Sequence, residues 1–164
     1  MLIKSNYNPE YVIVMDMDDI GSNNINKKIN FVKKAINCKQ HWDAIFPPVT
    51  YDMWAFRCKG CVINFHQLPN TYKEYYRKAI KKIKYDNNGL AQVYSTFNGI
   101  GMYKYKLYIK GYYSGKNNYF SIAAVKKRNN IYDIYKYHAS PEECEHVNFH
   151  KSLGPCRLMM CKNI

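Results

Sequence analysis

The sequence predicts an α/β fold, a mixed and mostly parallel sheet flanked by helices, built as a single domain over residues 1–164. Three observations predict it. Residues 11–15 (Tyr-Val-Ile-Val-Met) are apolar throughout, as in a strand covered on both faces of a mostly parallel sheet. From 24 to 37, Ile25, Ile29, Val32, Ala35 and Ile36 recur at helical spacing opposite lysines, so an amphipathic helix follows that strand directly. Finally, 47% hydrophobic and 23% charged residues in a chain of 164 support one packed core rather than disorder or two independent domains.

The other elements follow in order. Residues 42–46 read as a short strand ended by Pro47-Pro48, and 51–57 as a second, aromatic-rich extended segment. Between 72 and 85, Tyr75, Tyr76, Ala79, Ile80 and Ile83 form a helical stripe backed by lysines. Asp86-Asn87-Asn88-Gly89 is a turn signal, and the strand expected over 91–97 breaks at Asn98-Gly99-Ile100-Gly101. Residues 102–113 alternate aromatic, aliphatic and basic side chains. A turn at 115–118 precedes a strand over 119–125, a basic loop over 126–130, and a short strand or helix over 131–138. Ser140-Pro141-Glu142-Glu143 resembles a helix start, and 158–160 a closing strand.

Twenty-five basic against twelve acidic residues give a net charge of +13, which suits nucleic acid, an anionic membrane surface or a phosphorylated small molecule. Nearly all the basic residues are Lys, with Arg only at 57, 77, 128 and 157. Lys, Asn, Ile and Tyr also share AT-rich codons, so part of the charge reflects base composition. The scarcity of Arg, the bidentate binder of phosphate and guanine, weakens the nucleic-acid reading. The longest apolar stretch is far below the roughly 20 residues of a membrane helix, and the start carries no signal-peptide h-region. No membrane span is expected, and the expected location is cytoplasmic, not secreted. Reduced thiols are accordingly expected at Cys38, Cys58, Cys61, Cys144, Cys156 and Cys161. Cys58-Lys59-Gly60-Cys61, with His66 and the tail residues Cys144, His146, His150, Cys156 and Cys161, is the alternative, a structural zinc site, though no second C-x-x-C accompanies it.

Asp16-Met17-Asp18-Asp19 stands at the end of the first strand, where open α/β sheets place ligands. Carboxylates at i and i+2 reach one hard cation if the chain turns there, and Gly21 and Ser22 favour a turn. Mg²⁺ or Mn²⁺ so held would bridge substrate phosphates and neutralise a departing diphosphate. The same three acids also read as a solvated loop, and the motif alone leaves both open.

Four blocks in order resemble the metal-dependent nucleotide-sugar glycosyltransferases of the GT-A fold. The first is the strand ending in Asp16-Met17-Asp18. The second is Trp42-Asp43-Ala44-Ile45 with Tyr51-Asp52-Met53-Trp54-Ala55-Phe56-Arg57, similar to a "W-D … Y-D-x-x-A-L-R" run of transferases from large DNA viruses and of capsule-type mannosyltransferases. Ser95-Thr96-Phe97-Asn98-Gly99-Ile100-Gly101-Met102-Tyr103 is similar to their "S-x-F-x-G-x-x-I-Y", and Cys144-Glu145-His146-Val147 to their "C-E-H-V". The blocks span residues 11–150.

The resemblance implies the C-terminal part of a GT-A catalytic domain and transfer of a sugar from a nucleoside diphosphate sugar to a glycan or protein hydroxyl. Asp16, Asp18 and His146 would hold Mn²⁺ or Mg²⁺, with Asp18 the direct ligand and Asp16 on the metal or the donor ribose. Glu145 and Asp52 would be the catalytic carboxylates, Glu145 activating the acceptor or orienting His146. Trp42, Asp43, Tyr51, Trp54, Arg57, Phe97, Asn98 and Gly99 would line the substrate site, rings against sugar C–H faces and polar groups on hydroxyls. If the chain is viral, the host cytoplasm or a virus factory is the implied location. One departure stands out. A GT-A D-x-D follows a nucleotide-binding half of on the order of 100 residues, whereas fifteen precede Asp16. The chain is then a truncated, split or degenerate domain, incomplete or inactive alone, or a second chain supplies the first half, or the remaining strands form a compact minimal sheet with weak donor affinity. The competing functions are non-enzymatic: a basic, Tyr-rich module that binds nucleic acid, or an interaction domain stabilised by zinc.

Overall fold

The computed structural model describes residues 9–16, 22–48, 52–58, 80–81, 83–114, 122–128, 131–136 and 144–162, with the backbone alone at 22–24, 53–54, 122–128 and 131–136. The elements run β1 (Tyr11–Met15), α1 (Ser22–Ile36), β2 (Ala44–Phe46), β3 (Asp52–Arg57), β4 (Leu90–Val93), β5 (Ser95–Phe97), β6 (Ile100–Lys104), α2 (Tyr105–Tyr108), β7 (Ile122–Arg128), β8 (Ile131–Lys136), α3 (Glu145–Ser152) and β9 (Leu158–Cys161). Five strands form the main sheet in the order β1-β6-β2-β9-β4, while β3 pairs with β5 and β7 with β8.

The α/β class holds, but the sheet is mostly antiparallel. Among the described residues of this sheet only β2 and β9 run parallel; β1 with β6, β2 with β6 and β4 with β9 are antiparallel. The expected mostly parallel sheet, and with it the architectural likeness to the C-terminal part of a GT-A domain, is therefore corrected. The physical reason is local. β1 and β2, either side of α1 in sequence, do run the same way, since both are antiparallel to β6; but β6 inserts between them. Apolar runs report which faces are covered and carry no signal for a neighbour's direction. β1 itself is an edge strand of this sheet with Ile13 48% exposed, not the doubly covered central strand its composition suggested.

Period-two alternation sorts the side chains to two cores. Ile45, Met102, Leu90 and Cys161 face α1, whose Phe31 and Ala35 close that side. Ala44, Phe46, Tyr103, Val93, Leu158 and Met160 face the other way, against Val147 and Phe149 of α3 and Ala55, Phe56 and Phe97 of the β3–β5 ribbon. Helix α3 carries Glu145 in its first turn and Lys151 in its last, matching the helix dipole, and stops before Gly154 at φ +73°.

The expected 91–97 strand is two. Tyr94 leaves the main sheet and donates its N–H to the Arg57 carbonyl at 2.9 Å, so β4 stays in one sheet and β5 enters another. Residues 126–128, expected in a basic loop, belong to β7, where they pair with 131–133 of β8. Residues 105–108, in the alternating segment, turn into the short helix α2. The strand expected over 42–46 is confined to Ala44–Phe46. Of the helix expected over 72–85 only 80, 81 and 83–85 are described, and the helix start at 140–143 lies outside the described residues. No helix among the described residues is long and apolar enough to cross a membrane.

Candidate functional site

Asp16 is the first residue past β1. Its N–H donates to the Gly99 carbonyl at 3.0 Å, and its own carbonyl accepts Lys28 Nζ at 3.1 Å, a lysine of α1 that is only 8% exposed. Gly99 turns the chain from β5 into β6 at φ +73°, a conformation glycine reaches without a Cβ clash. Beside it Asn98 Nδ2 donates to the Pro47 carbonyl at 3.1 Å, tying this turn to the end of β2.

Asp52 opens β3 opposite Phe97 of β5, and its Oδ1 accepts the Ala55 N–H at 3.1 Å. The buried Phe97 ring stacks on the imidazole of His146, with centroids 3.9 Å apart and planes at 18°. Glu145 Oε1 lies 4.0 Å from His146 Nε2. His146 Nδ1 is buried and has no hydrogen-bond partner among the described residues. Burial lowers the His146 pKa, opposed by the charges of Glu145, Asp52 and Asp16, so the ring is neutral at pH 7 and keeps a lone pair to offer. The neighbouring Cys144 thiol is pushed up to about 12, chiefly by burial and next by the Asp52 charge, and is no nucleophile at neutral pH.

The structure thus brings Asp16, Asp52, Phe97, Asn98, Gly99, Glu145 and His146 to one end of the sheet, although they come from four separate stretches of sequence. Asp18 and Tyr51 lie outside the described residues, as does the Trp54 side chain.

Three residues expected at the substrate go elsewhere. Asp43 meets Lys104, five residues along β6 from the Gly99 level, or about 17 Å at 3.3 Å per residue. There its Oδ2 accepts the Arg157 N–H at 2.9 Å and its Oδ1 lies 3.6 Å from Lys104 Nζ. Burial raises the Asp43 pKa, but the Arg157 hydrogen bond and the Lys104 and His41 charges outweigh it and leave it lowered. Trp42, 4% exposed, stacks on Tyr11 at 5.4 Å in the α1 core. Arg57 closes the far end of β3, buried, with Nη1 on the Phe56 carbonyl at 2.8 Å. All three work as structural pins.

The structure adds Lys28, Tyr113 and His150. Lys28 was hidden in a lysine-rich helix face, and only its spacing from Phe31 and Ala35 hints that it turns inward. His150, one turn after His146 on α3, is signalled by that i, i+4 spacing. Tyr113 had no signal among seventeen tyrosines.

For metal, no three His, Cys, Asp or Glu side chains among the described residues are grouped to hold an ion. Asp16 and His146 bring one carboxylate and one neutral imidazole to this end of the sheet. Of the cysteines weighed for zinc, Cys58, Cys144, Cys156 and Cys161 are in no disulfide, and neither is Cys38; Cys61 and His66 lie outside the described residues. Compared with known proteins, the chain matches no family model, no curated protein and no solved structure.

Proposed function

We propose that the chain is a divalent-metal-dependent glycosyltransferase, similar in chemistry to the nucleotide-sugar transferases of large DNA viruses, moving a sugar from a nucleoside diphosphate donor to a glycan or protein hydroxyl. The observation that carries this reading is the buried, neutral His146 with its unpartnered Nδ1, set among Asp16, Asp52 and Glu145. A buried imidazole nitrogen without a partner is uncommon unless a ligand completes it. The proposal rests on the site and not on the direction of the strands, because function follows site chemistry rather than fold.

In this reading Asp16, Asp18 and His146 would hold Mn²⁺ or Mg²⁺, which would neutralise charge on the diphosphate. Lys28, fixed on the Asp16 carbonyl, adds a cation on the same side. Glu145, about half exposed, takes the proton from the acceptor hydroxyl as its oxygen bonds to the sugar C1, while the C1–oxygen bond to the diphosphate breaks. Asp52 holds the adjoining hydroxyls.

The test is thermal stabilisation by nucleoside diphosphates and nucleotide sugars, with and without Mn²⁺, on wild type and the Asp16→Asn/Asp18→Asn double variant. A ligand at about 100 times its Kd adds about 2.7 kcal/mol, so a Mn²⁺-dependent rise in Tm in wild type alone is the expected result. No rise with any nucleotide, or an equal rise in the double variant, overturns the proposal. Salt-sensitive binding of single-stranded nucleic acid by both proteins would then favour the basic-module reading.

A further inference from the structure

The segment after α2 is laid across α3 by an unusual set of ties. Ser152 Oγ accepts the Tyr112 N–H at 3.0 Å, and Asn148 Nδ2 donates to the Ser114 carbonyl. At Gly111 an added Cβ would stand 2.4 Å from the Phe149 ring and 2.8 Å from Leu153, so the backbone passes directly over the helix. The product of this close approach is the placement of Tyr113. One face of its ring stacks on Phe149 at 4.4 Å and 16°, and the ring meets His146 edge-on at 5.7 Å and 79°. The residue nevertheless remains 44% exposed, with Phe149 covering one face of the ring.

From these contacts we infer that Tyr113 is a sugar-stacking platform beside Glu145 and His146, binding the acceptor glycan through its open face. The inference rests on the transferase reading and replaces Trp42, buried at the far end of the sheet, as the ring that meets the acceptor. A pyranose presents a face of C–H groups that packs on an aromatic ring, and hydroxyls at its rim that need acceptors within reach. Tyr113 supplies the flat face. Glu145, 4.0 Å from the imidazole that Tyr113 touches, supplies a carboxylate at the rim. The placement is also rigid before any ligand arrives, because Phe149 is 1% exposed and cannot yield. Burial holds the Tyr113 hydroxyl protonated, helped by Tyr108 and by the Glu145 and Asp16 charges, so it serves as a donor and not as a base.

The test is saturation-transfer NMR with a panel of methyl hexopyranosides on the whole chain, irradiating the aromatic protons. The variants are Tyr113→Leu, which keeps the apolar contact on Phe149 but has no flat face, Tyr113→Phe, and Tyr112→Ala on the exposed neighbour. Wild type, Tyr113→Phe and Tyr112→Ala are expected to transfer saturation to the C–H protons of at least one pyranoside. Tyr113→Leu should lose about fivefold of that binding, the scale of one aromatic stacking contact. Equal transfer in Tyr113→Leu, or no transfer to any pyranoside in wild type, overturns the platform. The Mn²⁺-dependent nucleotide shift reports separately on the transferase reading, and Tyr113→Leu should retain it. Saturation transfer at Tyr113 without any nucleotide shift supports the platform as a sugar site and removes the transferase.

Discussion

His146 and His150 stand one turn apart on α3, at 9% and 2% exposure, yet the protein treats them in opposite ways. His150 is closed on both sides: Nδ1 lies 2.8 Å from Ser95 Oγ and Nε2 2.9 Å from the Tyr103 hydroxyl. A neutral imidazole donates from one nitrogen and accepts at the other, and two hydroxyls answer either tautomer. His146 instead has a ring, Phe97, on its face, a carboxylate near Nε2 and no described partner for Nδ1. The same contrast separates the two ends of the sheet. Asp43 at one end is saturated by Arg157, Lys104 and His41, while Asp16, Asp52 and Glu145 at the other gather around one neutral base. His150 is matched within the fold, whereas His146 Nδ1 is a buried nitrogen for which no described residue supplies a hydrogen-bond partner.

Replacing each histidine by leucine sharpens that contrast most. His150→Leu strands the buried Ser95 and Tyr103 hydroxyls, and the loss of their partner should cost about 4 kcal/mol, read by urea denaturation. An effect below about 1 kcal/mol would break the comparison, since it would make His150 as dispensable as its neighbour.

Acid should act through the same ring. Burial, with the neighbouring His146 charge second, lowers the His150 pKa to about 3, against an ordinary 6.5. Between those values the unfolded chain binds the proton and the folded one does not, so stability is full above about 6.5 and falls as pH drops toward 3. Between pH 7 and pH 4 the loss is on the order of 3 kcal/mol in wild type and is largely absent in His150→Leu. His146, also lowered, adds in the same direction.

The smallest effect is expected at His146. His146→Leu removes a buried polar atom that no described residue satisfies, so stability should change by less than about 1 kcal/mol or rise. Any Mn²⁺-dependent stabilisation should disappear with it. A large loss of stability in metal-free buffer would show that His146 is a structural group like His150.

Much of the local structure was legible. The stripe of Ile25, Ile29, Val32 and Ala35 became α1, the 51–57 segment became β3, and Gly99 marked the turn it makes at φ +73°. These features depend on side-chain period and backbone sterics, which neighbouring residues carry. The motif blocks also pointed to Asp16, Asp52, Phe97, Glu145 and His146, which share one end of the sheet. Trp42, Asp43 and Arg57 lie away from that end, which the sequence did not show because an aromatic, an acid or a base near a motif looks the same whether it pins a strand or meets a ligand.

By itself, then, the sequence determined the α/β class, helix α1, the positions of several strands and the residues of one polar cluster, because those follow from patterns within a dozen residues. Tertiary structure alone decided that β6 runs between β1 and β2 in the opposite sense, that Lys28 turns inward, that His150 is satisfied and His146 is not, and that Tyr113 lies over α3. Each of these depends on contacts between residues far apart in the chain, and the energy of such a contact is set by which partner arrives, not by the residue alone.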